Sequence, residues 1–356
     1  HLQPFNKEGK NFNFCQLLAG SEGTLAFTTE IKLNLEPLPP KNKVVLCAHF
    51  HNLEESLVAV VTAMKHQPSA CELMDKIILD CTKENIEQRK NRFFVNGDPQ
   101  GILCVEFWSD DAEGMNIKAN ALIEDLKQAG LGYDFPLVHG KDISRIWNLR
   151  KAGLGLLANI PGDKKAVAVI EDTAVDVNEL PEFIGEFTEM MERFKQKSVY
   201  YAHAGAGELH LRPLLDLKNP EDRKDFRAIA TECALLVKKY GGSLSGEHGD
   251  GRVRGEFIPL MIGEANYQLL RGLKKVWDPK NIFNPGKITD TPPMDESLRY
   301  ESGQVTKEFK TIMDFSKEGG ILRAAEKCNG SGDCRKSPEA GGTMCPSYQA
   351  TRDEKD

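Results

Sequence analysis

The feature that most limits the possible folds is a regular alternation of strand and helix patterns between Lys43 and Tyr240. Short apolar runs predict strands, and longer segments with apolar residues at helical spacing predict amphipathic helices. No glycine-rich dinucleotide turn follows the first strand, and Gly249-Asp-Gly-Arg-Val-Arg-Gly255 has the wrong spacing for one, so the pattern argues against a Rossmann domain. We therefore predict an α+β domain whose largely antiparallel sheet is covered by helices on one face.

The same patterns give approximate element boundaries. Residues 70–82 predict the end of a strand and a short helix. Strands are predicted at residues 44–50, 101–108, 133–139, 167–171, 198–202 and 209–215. Helices are predicted at residues 53–65, 112–129, 143–158, 181–195, 222–240 and 264–276. Asp111 and Gly130 supply the capping signals of the second helix in that series.

Upstream of this region, Gly20-Ser-Glu-Gly-Thr24 predicts a tight polar turn, and residues 25–35 then alternate as a half-buried strand does. Glu36-Pro-Leu-Pro-Pro40 ends that strand as a stiff linker. Taken alone, the turn is typical of an ordinary hairpin.

Two glycine-rich segments hold three of the eight histidines. His203 and His210 lie in the first, and Glu247 and His248 lie in Ser245-Gly-Glu-His-Gly-Asp-Gly251. A continuous strand would point residues 203 and 210 to opposite faces, but the glycines between them favour a bend that turns both imidazoles toward one point. Two histidines and one glutamate are the ligands of an open metal site. Structural histidines in two turns are the alternative.

Composition restricts the class of protein. The chain has 40% hydrophobic residues, 28% charged residues and a net charge of −7, which is typical of a globular protein and does not favour nucleic-acid binding. No apolar run is long enough to cross a bilayer, and no signal-peptide pattern is present. Six of the nine cysteines are scattered among apolar residues, which is typical of a reducing compartment. We predict a cytoplasmic protein, with peripheral membrane association left open.

Four strings in this order resemble the FAD-linked oxidase family, which includes glycolate oxidase, D-lactate dehydrogenase and D-2-hydroxyglutarate dehydrogenase. They are the turn at residues 20–24, the two histidine segments, and Trp277-Asp-Pro-Lys-Asn-Ile-Phe-Asn-Pro-Gly-Lys287, which alone could be a structural turn. The resemblance covers residues 15–290. It implies that the antiparallel-sheet domain is a substrate-binding cap that follows the C-terminal end of a vanillyl-alcohol-oxidase-type FAD-binding domain.

The resemblance also implies a division of the chain. Residues 1–40 would end the FAD-binding domain, residues 41–263 would form the cap, and residues 264–290 would return to the flavin. Residues 291–325 predict a linker, and residues 326–356 would begin an iron–sulfur module. The first residue is not Met, which indicates a fragment or a processed chain. Because most FAD contacts in the family precede the turn, we expect this chain to bind FAD weakly or not at all.

The family's pattern also implies metal ligands. Relatives usually have His-Ala-Gly-Asp-Gly-Asn-Leu-His where this chain has His203-Ala-Gly-Ala-Gly-Glu-Leu-His210, so both histidines are kept. The resemblance makes His203, His210 and Glu247 the ligands of a divalent ion, and zinc and manganese both suit such a set. Glu208 departs from the pattern, and it would be either a fourth ligand or an outward salt-bridging group.

The remaining implied residues bind the substrate and the flavin. Arg150 matches the family's Trp-x-x-Arg arginine, which holds the substrate carboxylate, although alone it could be a surface charge. His248 is predicted to be the general base and, if the backbone is extended there, to point away from Glu247. The FAD contacts implied are Gly20, Ser21, Gly23, Thr24 and Asn284. Some relatives hold a second carboxylate with a lysine where this chain has Ile170, and Lys164 or Lys165 could substitute.

The C-terminal string holds Cys328, Cys334 and Cys345. Three thiolates cannot complete a four-cysteine cluster, and a serine occupies the position of the second ligand of the ferredoxin pattern. The string resembles the start of an iron–sulfur module fused to a flavin dehydrogenase. Three unrelated thiols are the alternative.

Together these features predict FAD-dependent, metal-assisted oxidation of a D-2-hydroxy acid such as D-lactate, D-2-hydroxyglutarate or glycolate. The hydride would pass to the flavin, and electrons would leave through the iron–sulfur module or to a quinone or cytochrome. A homodimer is possible. One alternative is a metal-binding docking or electron-transfer module without catalysis. Another is a related flavoprotein oxidase that acts on a different alcohol.

Overall fold

The computed structural model describes residues 13–83, 85–328, 332–337 and 350, in two compact units formed by residues 1–305 and residues 306–356. The strands are β1 Asn42–Phe50, β2 Ala70–Asp75, β3 Gly101–Ser109, β4 Leu137–His139, β5 Lys165–Ala166, β6 Ile170–Ala174, β7 Ser198–His203 and β8 Glu208–Leu215. The helices of the first unit are α1 Cys15–Ala19, α2 Leu53–Lys65, α3 Lys76–Lys83, α4 Ile86–Arg89, α5 Ala112–Gln128, α6 Ile143–Leu156, α7 Leu180–Arg193, α8 Pro220–Lys239, α9 Gly251–Arg254, α10 Ile258–Ile262 and α11 Glu264–Trp277. The second unit contains α12 Ile321–Glu326.

The eight strands form an antiparallel sheet in the order β4–β1–β3–β2–β7–β8. The free edge of β8 is shared, because β6 pairs with its first half and β5 pairs with its last two residues. The predicted α+β architecture with an antiparallel sheet is confirmed. Its strand β8, bordered on both edges, is the strand on which the candidate site is built.

Helices cover both faces of the sheet, which corrects the expectation of a single covered face. Adjacent residues of β1, such as Val44 and Val45, point to opposite faces, and both are fully buried. Val44 belongs to a core cluster with α2, α5, α7 and α8, and Val45 belongs to one with α3 and α6. The near-continuous apolar run of β1 is the signal of burial on both faces.

The ends of the long helices follow their capping residues. Asp111 accepts hydrogen bonds from the backbone N–H groups of Glu113 and Gly114, both at 3.1 Å, as predicted for the start of α5. Asn219 caps α8 in the same way, and Pro220 occupies its first turn.

Three predicted strands differ from the observed ones. Residues 25–35 alternate in polarity but form no strand, since no strand among the described residues pairs with them, and Phe27 and Leu35 are 79% and 93% exposed. The strand predicted at residues 133–139 is reduced to β4, with an isolated bridge at Asp134. The strand predicted at residues 167–171 begins later, at Ile170, and carries an irregularity before Thr173.

The segment 291–305, which the composition assigns to a linker, packs on α8. Arg223 donates to the carbonyl oxygens of Asp295 and Tyr300, both at 3.0 Å. Arg227 pairs with the Asp295 carboxylate at 2.8 Å, and Met294 is buried. These residues therefore belong to the first unit.

Candidate metal and substrate site

The β7–β8 hairpin brings His203 and His210 together. A single 3-10 turn, Ala204–Ala206, joins the strands, and Gly207 follows it with a φ of 69°. His203 pairs with Glu208 in the register, so His210 lies one diagonal step away on the same face. The ring centroids are 5.3 Å apart. The bend predicted from the glycines is confirmed, and a side chain at Gly207 would meet the Val175 carbonyl oxygen at 2.0 Å.

The second glycine-rich segment is held by one buried carboxylate. Asp172, which is fully buried on β6, accepts hydrogen bonds from the backbone N–H groups of Glu247 at 3.1 Å and His248 at 2.7 Å. It also accepts one from the Ser245 hydroxyl at 2.6 Å. Burial opposes ionisation of Asp172, but these hydrogen bonds, with one from Glu208, hold its pKa below the ordinary value. The loop geometry therefore depends on a residue that sequence analysis did not identify.

Hydrogen bonds at Nδ1 orient the two hairpin imidazoles. His210 Nδ1 donates to the Glu171 carbonyl oxygen at 2.6 Å, and His203 Nδ1 lies 3.1 Å from a Glu72 carboxylate oxygen. Carbonyl and carboxylate partners at one ring nitrogen are typical of histidines whose other nitrogen binds a metal. The Nε2 atoms of His203 and His210 lie 3.7 and 3.9 Å from Glu247 Oε1.

His248 lies in the same cluster, which corrects the expectation that it points away from Glu247. Its Nε2 is 3.0 Å from Glu247 Oε1, and its ring stacks on His210 at 5.2 Å with an interplanar angle of 11°. Two overlapping sets have ligand atoms within 4.8 Å of one another. One is His203, Glu208, His210 and Glu247, and the other is Asp172, His210, Glu247 and His248.

The surroundings shift the protonation of these groups in different directions. Burial lowers the pKa of His210, whereas the hydrogen bond to Glu72 raises the pKa of His203. Burial, a hydrogen bond with Asp172 and the charge of Glu247 raise the pKa of Glu208 to about 8. Glu208 is therefore mostly protonated at neutral pH and buried rather than directed outward. This crowding of carboxylates is the environment that a bound cation relieves.

Arg150 reaches the histidine pair from α6. Its guanidinium pairs with the Glu72 carboxylate, donates to the Ala202 carbonyl oxygen at 3.1 Å and lies 3.4 Å from His203 Nδ1. The same group lies over the Tyr201 ring, 4.4 Å from its centroid. Its side chain is 11% exposed, so Arg150 is part of the site and not a charge on a helix surface.

Helix α6 is itself fixed to the sheet one turn before Arg150. The Trp147 indole donates to the buried Glu106 carboxylate at 3.0 Å, and the Trp108 indole donates to the same group. A buried carboxylate with two indole donors is a specific anchor. It sets the position from which Arg150 extends.

A second arginine–glutamate pair lies on the opposite side of His210. Arg212 of β8 donates to the Glu171 carboxylate at 2.6 Å, and that carboxylate oxygen lies 3.7 Å from His248 Nδ1. Sequence analysis missed Arg212, although its place two residues after His210 in a strand was a usable signal. It also missed Glu72, Glu171 and Asp172, which come from other strands and give no local signal.

The lysines considered for a second carboxylate lie elsewhere. Lys165 pairs with Leu215 at the far end of β8, five residues beyond His210, which is roughly 17 Å along a strand. Its ammonium donates to the Ile160 carbonyl oxygen, and Lys164 contacts Gln196 and Asp222. The expectation that Lys164 or Lys165 binds a second substrate carboxylate is wrong, because β5 joins the sheet at the end of β8 that is far from His210. Ile170 is buried, as its apolar side chain requires.

A family comparison agrees with this architecture. Residues 39–288 match the family described as FAD linked oxidases, C-terminal domain. The chain belongs to this family.

The proteins to which this chain is similar include dehydrogenases of 2-hydroxy acids. The chain is 32% identical to a D-2-hydroxyglutarate dehydrogenase of Pseudomonas putida and 30% identical to one of Escherichia coli, over 99% and 98% of this chain and 35% of each relative. It is 30% identical to a D-lactate dehydrogenase of Anaerostipes hadrus, over 80% of this chain and 59% of that protein. The chain thus spans about a third of the length of the first two relatives.

A solved structure of p-cresol methylhydroxylase has a similar fold, with a TM-score of 0.51 and 14% identity, covering 74% of this chain and 55% of that one. At that identity the similarity concerns the fold alone. None of the described helices is long and apolar enough to span a membrane.

The turn at residues 20–24 is tied to the segment after α11. Asn284 donates to the Glu22 carbonyl oxygen at 2.7 Å, and the Lys274 ammonium donates to the Thr24 carbonyl oxygen at 2.8 Å. The Ser21 hydroxyl donates to the Leu18 carbonyl oxygen of α1, and the Thr24 hydroxyl donates to the Ser21 carbonyl oxygen within the turn. Gly23 has a φ of 67°, which the tight turn requires.

A cavity of about 520 Å³ lies beside this turn. Its walls include Gly20, Ser21 and Thr24, with apolar side chains from α10 and α11. An apolar cleft with a few polar groups suits one side of a cofactor site. Three of the five residues assigned to FAD therefore line a cavity.

The cysteines of the C-terminal string are only partly described. Cys328 and Cys334 are exposed. Cys345 lies outside the described residues.

Proposed function

We propose that this domain binds a 2-hydroxy acid at a divalent metal ion, and that the complete protein oxidises the acid by hydride transfer to FAD. The observation that carries the proposal is the convergence of three imidazole Nε2 atoms on one oxygen of Glu247, within 3.9 Å, beside Arg150. The family and the relatives named above support the same chemistry.

The metal ligands in this proposal are His203, His210 and Glu247. The two Nδ1 hydrogen bonds fix the rings so that Nε2 lone pairs face the carboxylate. Two imidazole nitrogens and one carboxylate oxygen leave coordination positions open, and zinc and manganese both suit the set. A divalent ion bound there supplies Lewis acidity that lowers the pKa of the substrate hydroxyl.

Arg150 would hold the carboxylate next to that hydroxyl. A guanidinium binds a carboxylate through two parallel hydrogen bonds, which fixes its orientation as well as its position. Glu72 and the Tyr201 ring restrain the guanidinium before substrate arrives. The metal ion and Arg150 would then hold the substrate at two points close to His203. The reacting carbon would be oriented before the reaction, which lowers the entropic cost of reaching the transition state.

His248 would accept the hydroxyl proton. Its Nε2 lies 3.0 Å from Glu247 Oε1, the oxygen on which the other imidazoles converge, and its Nδ1 lies 3.7 Å from Glu171. The side chain is 38% exposed, so the proton has a route to solvent. Its ring stacks on that of His210, which supports a base close to the metal-bound hydroxyl.

FAD, when bound, accepts the hydride, and the iron–sulfur module would carry the electrons away. The residues Gly20, Ser21, Gly23, Thr24 and Asn284 would form one side of the flavin site. Cys328, Cys334 and Cys345 would be ligands in the iron–sulfur module.

The test is a dye-linked oxidation screen of the complete protein with D-lactate, D-2-hydroxyglutarate and glycolate. At least one substrate should reduce the dye, and His248→Ala should lower kcat by about 100-fold or more while metal content is retained. His203→Ala should lose both metal and turnover. His139→Ala is the matched control, because His139 is exposed on β4, at the other edge of the sheet from β8.

Two results would count against the proposal. Turnover that survives in His248→Ala contradicts the assignment of the base. Metal binding without oxidation of any 2-hydroxy acid supports a docking or electron-transfer module instead.

A further inference from the structure

Arg212 shares the face of β8 that carries His210, two residues further along the strand. Side chains two apart on a strand are about 7 Å apart, so the Arg212 stem begins close to the histidine cluster. The side chain is 16% exposed. A cation this deeply buried needs partners of opposite charge.

The surroundings of Arg212 match those of Arg150. Each guanidinium pairs with one glutamate from a neighbouring strand, Glu171 for Arg212 and Glu72 for Arg150. Each of those glutamates also lies near an imidazole nitrogen of the cluster, at 3.7 Å for Glu171 and His248 and at 3.0 Å for Glu72 and His203. The two pairs therefore flank His210.

The hydrogen-bonding capacity of Arg212 is not filled. One terminal nitrogen, Nη2, donates to Glu171 at 2.6 Å. Its Nε atom is buried and has no hydrogen-bond acceptor among the described residues, as is also true of Arg150 Nε. Buried donors are normally satisfied, and an orphan at a binding site points to a ligand acceptor.

We propose that Arg212 binds a second carboxylate of the substrate, so that the site selects a 2-hydroxy dicarboxylate over a monocarboxylate. This inference rests on the proposed function. Arg150 holds the carboxylate beside the hydroxyl, and Arg212 holds the distal one across His210. Arg212 lies close enough to His210 to bind this distal carboxylate, whereas Lys164 and Lys165 lie at the far end of β8.

The kinetic test uses the complete, FAD-loaded protein with D-2-hydroxyglutarate and D-lactate. Arg212→Gln should lower kcat/KM about 50-fold for the dicarboxylate and less than about threefold for the monocarboxylate, because charge-assisted hydrogen bonds to only one substrate are lost. Arg212→Lys should recover part of the loss. Arg193→Gln is the matched control, since Arg193 is 61% exposed and pairs with Glu232.

A binding test does not depend on turnover. Calorimetry with glutarate and butyrate, which lack the hydroxyl, should show tighter binding of glutarate by the parent protein. Arg212→Gln should remove most of that preference. If Arg212→Gln does not fold, which a thermal melt would reveal, Arg212→Lys must still reduce the glutarate preference.

The outcomes separate this inference from the proposed function. An equal loss on both substrates, or an unchanged glutarate preference, would assign Arg212 a structural role and overturn the inference. Oxidation of D-lactate with no dicarboxylate preference would overturn it while the proposed function stands. Glutarate binding that depends on Arg212 in a protein without oxidase activity would uphold the anion site and overturn the proposed function.

Discussion

The two halves of the histidine cluster are built in different ways. The β7–β8 hairpin places His203 and His210 through backbone register. The segment carrying Glu247 and His248 has only an isolated backbone bridge to β6, in which Ser243 pairs with Ala174 and the Gly246 N–H group donates to the Asp172 carbonyl oxygen. Beyond Gly246 its backbone N–H groups donate to the carboxylates of Asp172 and Glu22. The hairpin half therefore depends on a continuous ladder, and the part of the loop that carries Glu247 and His248 depends largely on two side chains.

This difference predicts where the site is vulnerable. Register in a paired strand is fixed by alternation and by the turn, so one side-chain change does not move it. A loop held by a buried carboxylate loses its geometry when that carboxylate is removed. Substitutions that remove the Asp172 or Glu22 carboxylate should therefore disturb the loop half of the cluster and leave the hairpin half in place.

The largest effect is expected from Asp172→Ala. Asp172 is fully buried and accepts three hydrogen bonds from residues 245–248, so its removal should cost about 3 kcal/mol of unfolding free energy. Metal affinity should fall by about 100-fold or more, because Glu247 is no longer positioned. Urea denaturation and equilibrium metal titration measure the two effects. Asp110→Ala is the control, since Asp110 is exposed in the bend before α5. Equal effects of the two substitutions would show that Asp172 does not hold the loop.

A smaller effect on metal affinity is expected from Glu72→Gln, which acts on the hairpin half. The His203 ring would lose its charged partner at Nδ1, and loss of such partners typically lowers metal affinity 10–100-fold. The position of residues 245–248 should not change. Glu232→Gln, at an exposed ion pair, is the control. An unchanged metal affinity would show that Glu72 does not orient His203.

A modest effect is expected from Glu22→Ala. The Glu22 carboxylate accepts hydrogen bonds from the backbone N–H groups of Asp250 at 2.6 Å and Gly251 at 3.1 Å, at the start of α9. Since this group is only partly buried, its loss should cost about 1 kcal/mol. Thermal denaturation measures it. A loss as large as that of Asp172→Ala would remove the distinction between the two anchors.

A further effect, which needs no loss of an anchor, is a pH dependence of the metal-free protein. The folded-state pKa of Glu208 is about 8, above its ordinary 4.5, so the folded state holds an extra proton between these values. Stability from Glu208 is therefore full below pH 4.5 and is lost as pH rises toward 8. His203, whose pKa is raised, acts in the same direction above pH 6.5. Denaturation curves from pH 5 to 8 should be flatter in Glu208→Gln, and an unchanged slope would contradict the protonation assigned to Glu208.

Much of the fold was predictable because the elements of this domain have strong periodic patterns. The helix at Leu53–Lys65 was predicted to the residue, and most strands were predicted within two residues. Residues 25–35 show the limit of that method, since alternation predicts a strand only where a neighbour supplies backbone hydrogen bonds. Burial of both sheet faces was not predicted, because it depends on which helices return to each side.

The site residues that occur in short sequence motifs were predictable. His203, His210 and Glu247 were grouped from the two glycine-rich segments, and the resemblance to the FAD-linked oxidase family made them ligands and added Arg150. The structure brings the four residues together. The direction of His248 was not predictable, since the Asp172 hydrogen bonds that set its backbone come from a distant strand. Glu72 and Glu171 were missed for the same reason, because their roles arise from tertiary contacts. Arg212 was missed although its place two residues after His210 gave a local signal.

The most direct test of the proposed metal centre is a calorimetric titration of zinc and manganese into the chelator-treated protein. We expect about one ion per chain at the histidine site, with binding lost in His210→Ala while circular dichroism shows a retained fold. Binding that is absent in the parent protein, or unchanged in His210→Ala, would contradict a metal centre formed by His203, His210 and Glu247.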